Sequence, residues 1–448
     1  MAELFNHTSP DLEPRVMFID MNSFFASCEQ QINFYLRGRP VGVCVYTGKY
    51  GAVISPSIEA KIKGVKTGMR LNDAIAICPD LVPLETNPER YRDFHVKIIQ
   101  VLKKYSEEVV PKSIDEAIVD FSKYRYVYKN TKELLEVAKR IKQDIRHEVG
   151  DWLKCSIGLA PNAFLAKLGS DIQKPDGLTL ITPDNIDDVL RPLDLTDLPG
   201  IASRMALRLR QSGIMSPLQL RHTPPDVLRR ACQSIVGVYW HYRLNFSEVD
   251  LLSKEEYKSM QAMRQISKKQ REKRSTLEDL FVALCMKLEQ RMVKQGVYCR
   301  EIIFTCRYES GARWKEHIQV DNPVQDGMDI HRRIVLRMEH FCRQKQCEPV
   351  VNKGMTSMGV TIYNFVPAEA IQFDLFQDNV REHNLRKTVY SIKDKYGKGK
   401  IMKAAELQDE PIMRDVIGFG SVKDLVNNDY EVQDVIEELM SSDWPVMD

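Results

Sequence analysis

VMFIDMNSFFASCE, residues 16–29, sets an unbroken apolar run directly before a carboxylate. Val16–Ile19 is too short for a helix and too continuous for a strand with one wet face. It therefore reads as a buried strand that delivers Asp20 at its C-terminal end. A helix is expected from about Ser23. A second acidic pair stands in KSIDE, residues 112–116, between Val109–Val110 and Ala117–Phe121, both read as strands. Neighbours within a strand point to opposite faces, so Asp115 and Glu116 can serve one site only where the hairpin turns or bends. Carboxylates brought together in a sheet repel and raise one another's pKa, and divalent metal relieves this. Mg²⁺ takes few protein carboxylates and completes its shell with water and phosphate oxygens. Two such ions can activate a hydroxyl nucleophile and stabilise a pyrophosphate leaving group.

Outward from these motifs, strands and helices mix without the strict alternation of a doubly wound sheet. Val41–Tyr46 reads as a strand. Tyr91, Phe94, Ile98, Leu102 and Tyr105 recur at helical spacing and predict a helix over about 88–106. Leu134, Ala138, Ile141 and Ile145 mark another, entered at Asn130 with Glu133 three residues on. Lys154–Ala160 is a further strand. From 178 to about 245 the pattern turns helical, and in DLPGIASRMALRLRQSGI (197–214) a Pro-Gly turn opens a short helix that closes at Gly213. A charged linker follows. The stretch 258–364 then reads as β-α-β-β-α-β, a second compact domain. Its strands are expected near 258–266, 298–307, 313–320 and 355–364. Its helices are expected near 276–295, starting at Ser275 with Glu278 and stopped by Gly296, and near 326–345. Residues 371–448 read as a partly ordered tail.

With 448 residues the chain is long enough for three or four domains. Its composition, 43% hydrophobic and 28% charged, is that of a globular protein, and no apolar run suffices to span a bilayer. The N-terminus lacks the layout of a secretory signal, so a cytoplasmic protein is expected. The ten cysteines form no CxxC pair, which argues for buried free thiols and against structural zinc. The net charge of +2 averages over unlike segments: residues 260–275 carry six Lys or Arg, and residues 423–448 carry eight Asp or Glu. A basic middle suits an anionic partner.

FIDMNSFFASCE (18–29) resembles the opening motif of the Y-family DNA polymerases, and SIDEA (113–117) resembles its second. The likeness continues in order through SPSIEAKIKGVKTGM (55–69), SIGLAPNAFLAK (156–167), QKPDGL (173–178) and the 197–214 segment, covering about 15–365. The resemblance implies an α+β multidomain right-hand polymerase plus a β-α-β-β-α-β little finger. Its palm would be 1–23 and 86–177, its fingers 24–85, its thumb 178–245, its linker 246–257, its little finger 258–368, and its clamp-binding peptide and acidic tail 369–448. It implies template-directed DNA synthesis past damaged bases, with low fidelity and low processivity, using two Mg²⁺ ions or Mn²⁺ as a substitute. Asp20, Asp115 and Glu116 fall on the catalytic metal-ligand positions, and Met21 would lend its backbone carbonyl. An adaptor without catalysis would not need these three carboxylates, and a carboxylate nuclease would not need Phe25 or the little finger.

Phe25 falls on the family's steric-gate position, where a ring leaves no room for a 2′-hydroxyl. Phe24 reads as a core aromatic bordering the nucleotide, and Ser55, Lys61 and Lys174 complete the expected nucleotide-binding set. Many members carry Tyr and Arg where this chain has Ile58 and Lys61. Lys61 keeps the charge without the bidentate fork, and Ile58 cannot hydrogen-bond. Gly200 and Ala202, in a turn like half of a helix-hairpin-helix, would meet a DNA phosphate, although the family usually has Gly at 202. Arg264, Lys268, Lys269, Arg271, Lys273 and Arg274 would line the duplex backbone of a primer-template without reading sequence. Gln372, Leu375 and Phe376, in QFDLF (372–376), resemble the peptide by which bacterial polymerases bind a sliding clamp. The expected partners are thus primer-template DNA, dNTPs and the clamp, with the enzyme itself a monomer.

Overall fold

The computed structural model describes residues 12–48, 51–250, 258–371, 379–396, 401 and 403. The chain divides into two compact units, one within residues 1–253 and the other within 254–415. Gln372, Leu375 and Phe376 lie outside the described residues.

In the first unit β1 (Val16–Met21) is buried at every position, as its apolar run requires. Ser23, at φ 50°, turns the chain into α1 (Phe24–Ile32). Next come β2 (Val41–Cys44), β3 (Val53–Pro56), α2 (Ile58–Ile62), α3 (Leu71–Ile77) and β4 (Val82–Glu85), whose strands form a small sheet in the order β3-β2-β4. The side chain of Asn87 caps α4 (Pro88–Lys103), which buries Tyr91, Phe94, Ile98 and Leu102 and stops short of the expected 106. β5 (Val109–Pro111) and β6 (Glu116–Asp120) flank the KSID turn. Asn130 caps α5 (Thr131–Asp144) by accepting from the Glu133 N–H. Then follow β7 (Cys155–Ala160), α6 (Ala163–Ile172) and β8 (Leu178–Leu180). Residues 178–180, expected to begin the helical segment, instead add a parallel edge strand beside β7, giving a sheet of order β5-β6-β1-β7-β8. The helical segment proper holds α7 (Ile186–Leu190), α8 (Ser203–Gln211), α9 (Pro217–His222), α10 (Pro225–Cys232) and α11 (Val236–Leu244), packed around Leu209, Leu220, Leu228 and Trp240.

The pleat of this sheet decides where the acidic residues go. Met17, Ile19 and Met21 of β1 pack with the apolar faces of α4 and α5. Val16 and Phe18 pack on the other side, with Leu165 and Leu168 of α6. By alternation Asp20 falls on the α6 side, and so does Glu116, two residues before the Ile118 that joins that same cluster.

The second unit runs β9 (Ser259–Gln265), α12 (Lys268–Arg271), α13 (Arg274–Gln295), β10 (Val297–Tyr308), β11 (Arg313–Val324), α14 (Gly327–Lys345), β12 (Met355–Pro367) and α15 (Asn379–Tyr396). Its antiparallel sheet has the order β11-β10-β12-β9, and α13 and α14 share its core through Phe281, Leu284, Ile334, Phe304 and Val360. Gly296, at φ 63°, ends α13 as expected. The start differs: α13 begins at Arg274 without a side-chain cap, and Glu278 pairs with Arg274 at 2.9 Å instead of closing a box at Ser275. Part of the expected tail is also ordered, since α15 packs against α13. Glu289 of α13, wholly buried, accepts from the Gly327 N–H at 2.6 Å, the Tyr390 hydroxyl at 3.1 Å and the Lys403 ammonium at 2.6 Å. All ten cysteines are free thiols and eight are buried. Among the described residues no helix is long and apolar enough to cross a membrane.

A buried carboxylate that loses its cation is costly. Lys403→Met should therefore destabilise the second unit by about 3 kcal/mol in chemical denaturation, and Lys403→Arg should restore part of the loss. Unchanged unfolding of Lys403→Met would mean that Tyr390 and the Gly327 N–H suffice for Glu289.

Candidate active site

The register of β1 against β6 sets Asp20 directly opposite Glu116. Asp115 stands one residue earlier, in the turn, and its carbonyl accepts from the Met21 N–H at 2.9 Å. The acidic pair thus sits where the hairpin bends. Like charges directly opposite one another destabilise a strand pair. Lys167, reaching down from α6, answers that repulsion. Its ammonium lies 2.6 Å from Asp20, 2.7 Å from Glu116 and 3.1 Å from Asp171. Lys174, in the loop after α6, lies 2.8 Å from both Asp20 and Asp171.

The three carboxyls do not titrate alike. Burial disfavours charge on Asp20, but Lys167 and Lys174 outweigh it and hold this group below the usual carboxylate range. Burial pushes Asp115 up against the hydrogen bond from the Ser113 hydroxyl, and the charge of Asp20 adds to the rise. Burial likewise raises Glu116, which Lys167 only partly offsets. Asp115 and Glu116 are therefore raised, first by burial and less by neighbouring carboxylates, whereas the lysines reverse the rise at Asp20.

The loop bearing Lys174 is tied to the sheet by two buried polar residues. Asn22 accepts from the Asp176 N–H at 2.7 Å and donates to the Ser156 hydroxyl at 3.1 Å. Ser156 in turn donates to the Gln173 carbonyl at 3.0 Å. Asn22, Ser156, Lys167 and Asp171 were not singled out from sequence. The available signal was a polar residue at a buried strand end; Lys167, between apolar helix positions, reads from periodicity alone as solvated.

A cleft of about 650 Å³ opens here. Asp20, Met21, Asp115 and Glu116 line it together with Lys167 and Lys174. Phe24, Phe25, Ser55, Ile58 and Lys61 line it as well. The whole expected catalytic and nucleotide-binding set thus meets in one cleft. Ile54 also lines the cleft, while its neighbour Val53 is fully buried. Burial, and then the neighbouring Lys174, lower the pKa of Lys61.

The donor chemistry suits a hard divalent cation: carboxylate oxygens and a main-chain carbonyl, two of the carboxylates already sharing one cationic group. Among the described residues no three His, Cys, Asp or Glu side chains converge as a closed metal cage. Mg²⁺ does not require one, because it keeps waters and recruits phosphate oxygens alongside one or two carboxylates.

The other expected residues lie elsewhere. Gly200, at φ 85°, turns the chain toward α8, which Ala202 caps through its main chain. In the second unit Lys268, Lys269, Lys273 and Arg274 are exposed. Arg271 is not: it is 8% exposed and paired with Glu309 at 2.7 Å, which withdraws it from the surface set. Arg264 is half-buried and shares the parity of the inward-facing Met260 and Ala262.

The model of the impB/mucB/samB family matches residues 19–171, and that of the family's C-terminal domain matches residues 257–375. The chain is 30% identical over 407 residues to DNA polymerase IV of Pelotomaculum thermopropionicum, covering 89% of this chain and 97% of that protein. It is 30% identical over 406 residues to DNA polymerase IV 1 of Bacillus subtilis, covering 88% and 94%. Among solved structures, a Y-family DNA polymerase chimera of Dbh and Dpo4 shares the fold with a TM-score of 0.64 at 23% identity, over 79% of this chain and 99% of that one. An insertion ternary complex of Dbh DNA polymerase gives a TM-score of 0.56 at 23% identity with the same coverage.

In metal-free buffer Lys167→Met should unfold more easily than the parent by about 2 kcal/mol, because Asp20 and Glu116 lose their shared donor. Added Mg²⁺ should recover part of that loss in urea titrations. Equal stability of parent and variant would mean that Lys174 alone balances the cluster.

Proposed function

The chain belongs to the impB/mucB/samB family of bacterial-type Y-family DNA polymerases, and from that premise we propose that the cleft of Asp20, Asp115 and Glu116 is where it joins nucleotides. It is a DNA-directed DNA polymerase that copies past damaged template bases. The observation that carries the site assignment is the Asp20–Glu116 pair, set opposite each other with Asp115 at the bend, in one cleft with Phe25 and Lys174. In this reading Asp20, Asp115, Glu116 and the Met21 carbonyl would hold two Mg²⁺ ions, with Mn²⁺ as a substitute. Such ions would supply a lowered pKa at the primer 3′-hydroxyl and positive charge for the departing pyrophosphate.

The remaining residues bind and orient. Lys174 and Lys61 meet the triphosphate as point charges rather than as forks. Phe25 lies under the sugar, and Phe24 borders it. Ser55 and Ile58 leave the base-pair side lined by modest side chains, so fit discriminates weakly, which suits damaged templates and lowers fidelity. Gly200 and Ala202 present main-chain N–H groups to a DNA phosphate. Lys268, Lys269, Lys273 and Arg274 grip the backbone without reading sequence. Primer-template DNA and dNTPs are the substrates of a cytoplasmic monomer. Gln372, Leu375 and Phe376 tether it to the sliding clamp.

Asp115→Ala combined with Glu116→Ala should lower primer extension by about a thousandfold or more while DNA binding persists. Near-normal extension by this double variant in a gel assay would refute the site. Replacing Gln372, Leu375 and Phe376 with Ala should leave synthesis on short primer-templates unchanged. It should remove the longer products that loaded clamp allows, because tethering raises effective concentration without altering chemistry. Equal clamp response in parent and variant would assign the tether elsewhere.

A further inference from the structure

Phe25 does not stand alone at the edge of the cleft. Its ring stacks on Tyr91 of α4, with centroids 4.4 Å apart and planes 16° from parallel. Tyr91 is wholly buried, and its hydroxyl donates to Glu29 at 2.8 Å. Glu29 lies four residues after Phe25 on α1, hence on the same helical face. It is held in turn by Arg90, whose guanidinium donates to it at 3.0 Å. One tyrosine is thus pinned twice to one helix, by its face to Phe25 and by its hydroxyl to Glu29. Burial, and then the charge of Glu29, push the phenol pKa up, so the hydroxyl remains the donor in that bond. On its other side Phe25 meets Phe24, at 5.8 Å between centroids.

A ring excludes a 2′-hydroxyl only while it cannot retreat. Close-packed interiors transmit strain instead of yielding, so a ring backed by a fixed ring keeps its height. We propose that Tyr91 is a positioning residue for sugar discrimination: stacked behind Phe25 and anchored through Glu29, it fixes how far the gate projects into the cleft. The proposal rests on the reading of Phe25 as the gate. It differs from a purely structural role in one respect. A structural defect depresses deoxy- and ribonucleotide use alike, whereas a retreating gate improves ribonucleotide use selectively.

The test is single-nucleotide primer extension by the full chain, comparing kcat/KM for a dNTP and the matching rNTP. Phe25→Ala serves as the reference. Tyr91→Leu should lower the dNTP-to-rNTP ratio by about tenfold, chiefly through a lower KM for the rNTP. Tyr91→Phe keeps the stack but loses the anchor and should lower the ratio by about threefold. Should Tyr91→Leu fail to fold, Tyr91→Phe and Glu29→Leu, which removes the acceptor, decide the matter, both being expected to lower the ratio. If Phe25→Ala collapses the ratio while the folded Tyr91 and Glu29 variants keep the parent's value, the proposal is overturned and the gate stands. If Phe25→Ala itself leaves the ratio unchanged, the gate reading fails and the proposal with it.

Discussion

Asp20 and Glu116 face each other across an antiparallel strand pair, and the site has to accommodate that repulsion. Sheets ordinarily avoid like charges in register. Here the sheet keeps them by bringing α6 across the same face, so that Lys167 reaches both carboxylates while Lys174 reaches Asp20. This asymmetry has a chemical consequence. Against burial, two ammonium groups hold Asp20 below the usual carboxylate range, whereas burial raises Asp115 and Glu116. The lysines act as internal counter-ions to the carboxylates.

The same constraint explains which parts of the fold could be read from sequence. β1 announces itself because all its positions are buried, and α4 and α5 because each shows a polar cap and an apolar stripe. β8 escaped notice because three half-buried residues at a sheet edge carry no periodicity. α15 escaped for the opposite reason: it is rich in charge, and what docks it is a tyrosine and, beyond it, a lysine meeting a carboxylate buried on another helix. Composition along one segment cannot reveal a partner that remote. The start of α13 moved because Arg274 captures Glu278 across one helical turn, leaving nothing to close a box on Ser275.

At the site, the pattern showed carboxylates at strand ends, and the resemblance to the polymerase motifs gave them and the aromatic pair after Asp20 their expected roles. The missing ones act through other residues. Asn22 and Ser156 hold the loop of Lys174, and Lys167 neutralises charge arriving from two strands distant in sequence. Their roles exist only once β1, β7 and α6 are assembled. Arg271 shows the converse error. In a run of basic residues it looked like surface, yet a helix of one turn points it inward to Glu309. A charge run does not reveal which member faces the solvent.

Asp20 and Phe25 are separated by a single strand-to-helix turn, and that turn makes the two residues one geometric unit. Ser23 adopts the left-handed conformation that reverses the chain, and the Ser27 hydroxyl donates to the Asn22 carbonyl at 2.8 Å. Asn22 also binds the loop of Lys174. A shift of α1 would therefore move the Phe25 ring, the carboxylate at Asp20 and the lysine loop together. Ser55, Ile58 and Lys61 belong to the separate small sheet and to α2, which meet α1 where the Ala26 N–H donates to the Ser55 hydroxyl at 3.4 Å. The cleft is thus lined from two sheets, one carrying the carboxylates and the other side chains of modest size. Such a division suits a polymerase that copies damaged templates, because holding the reacting groups and admitting an irregular base pair set opposite demands on how closely a wall must fit.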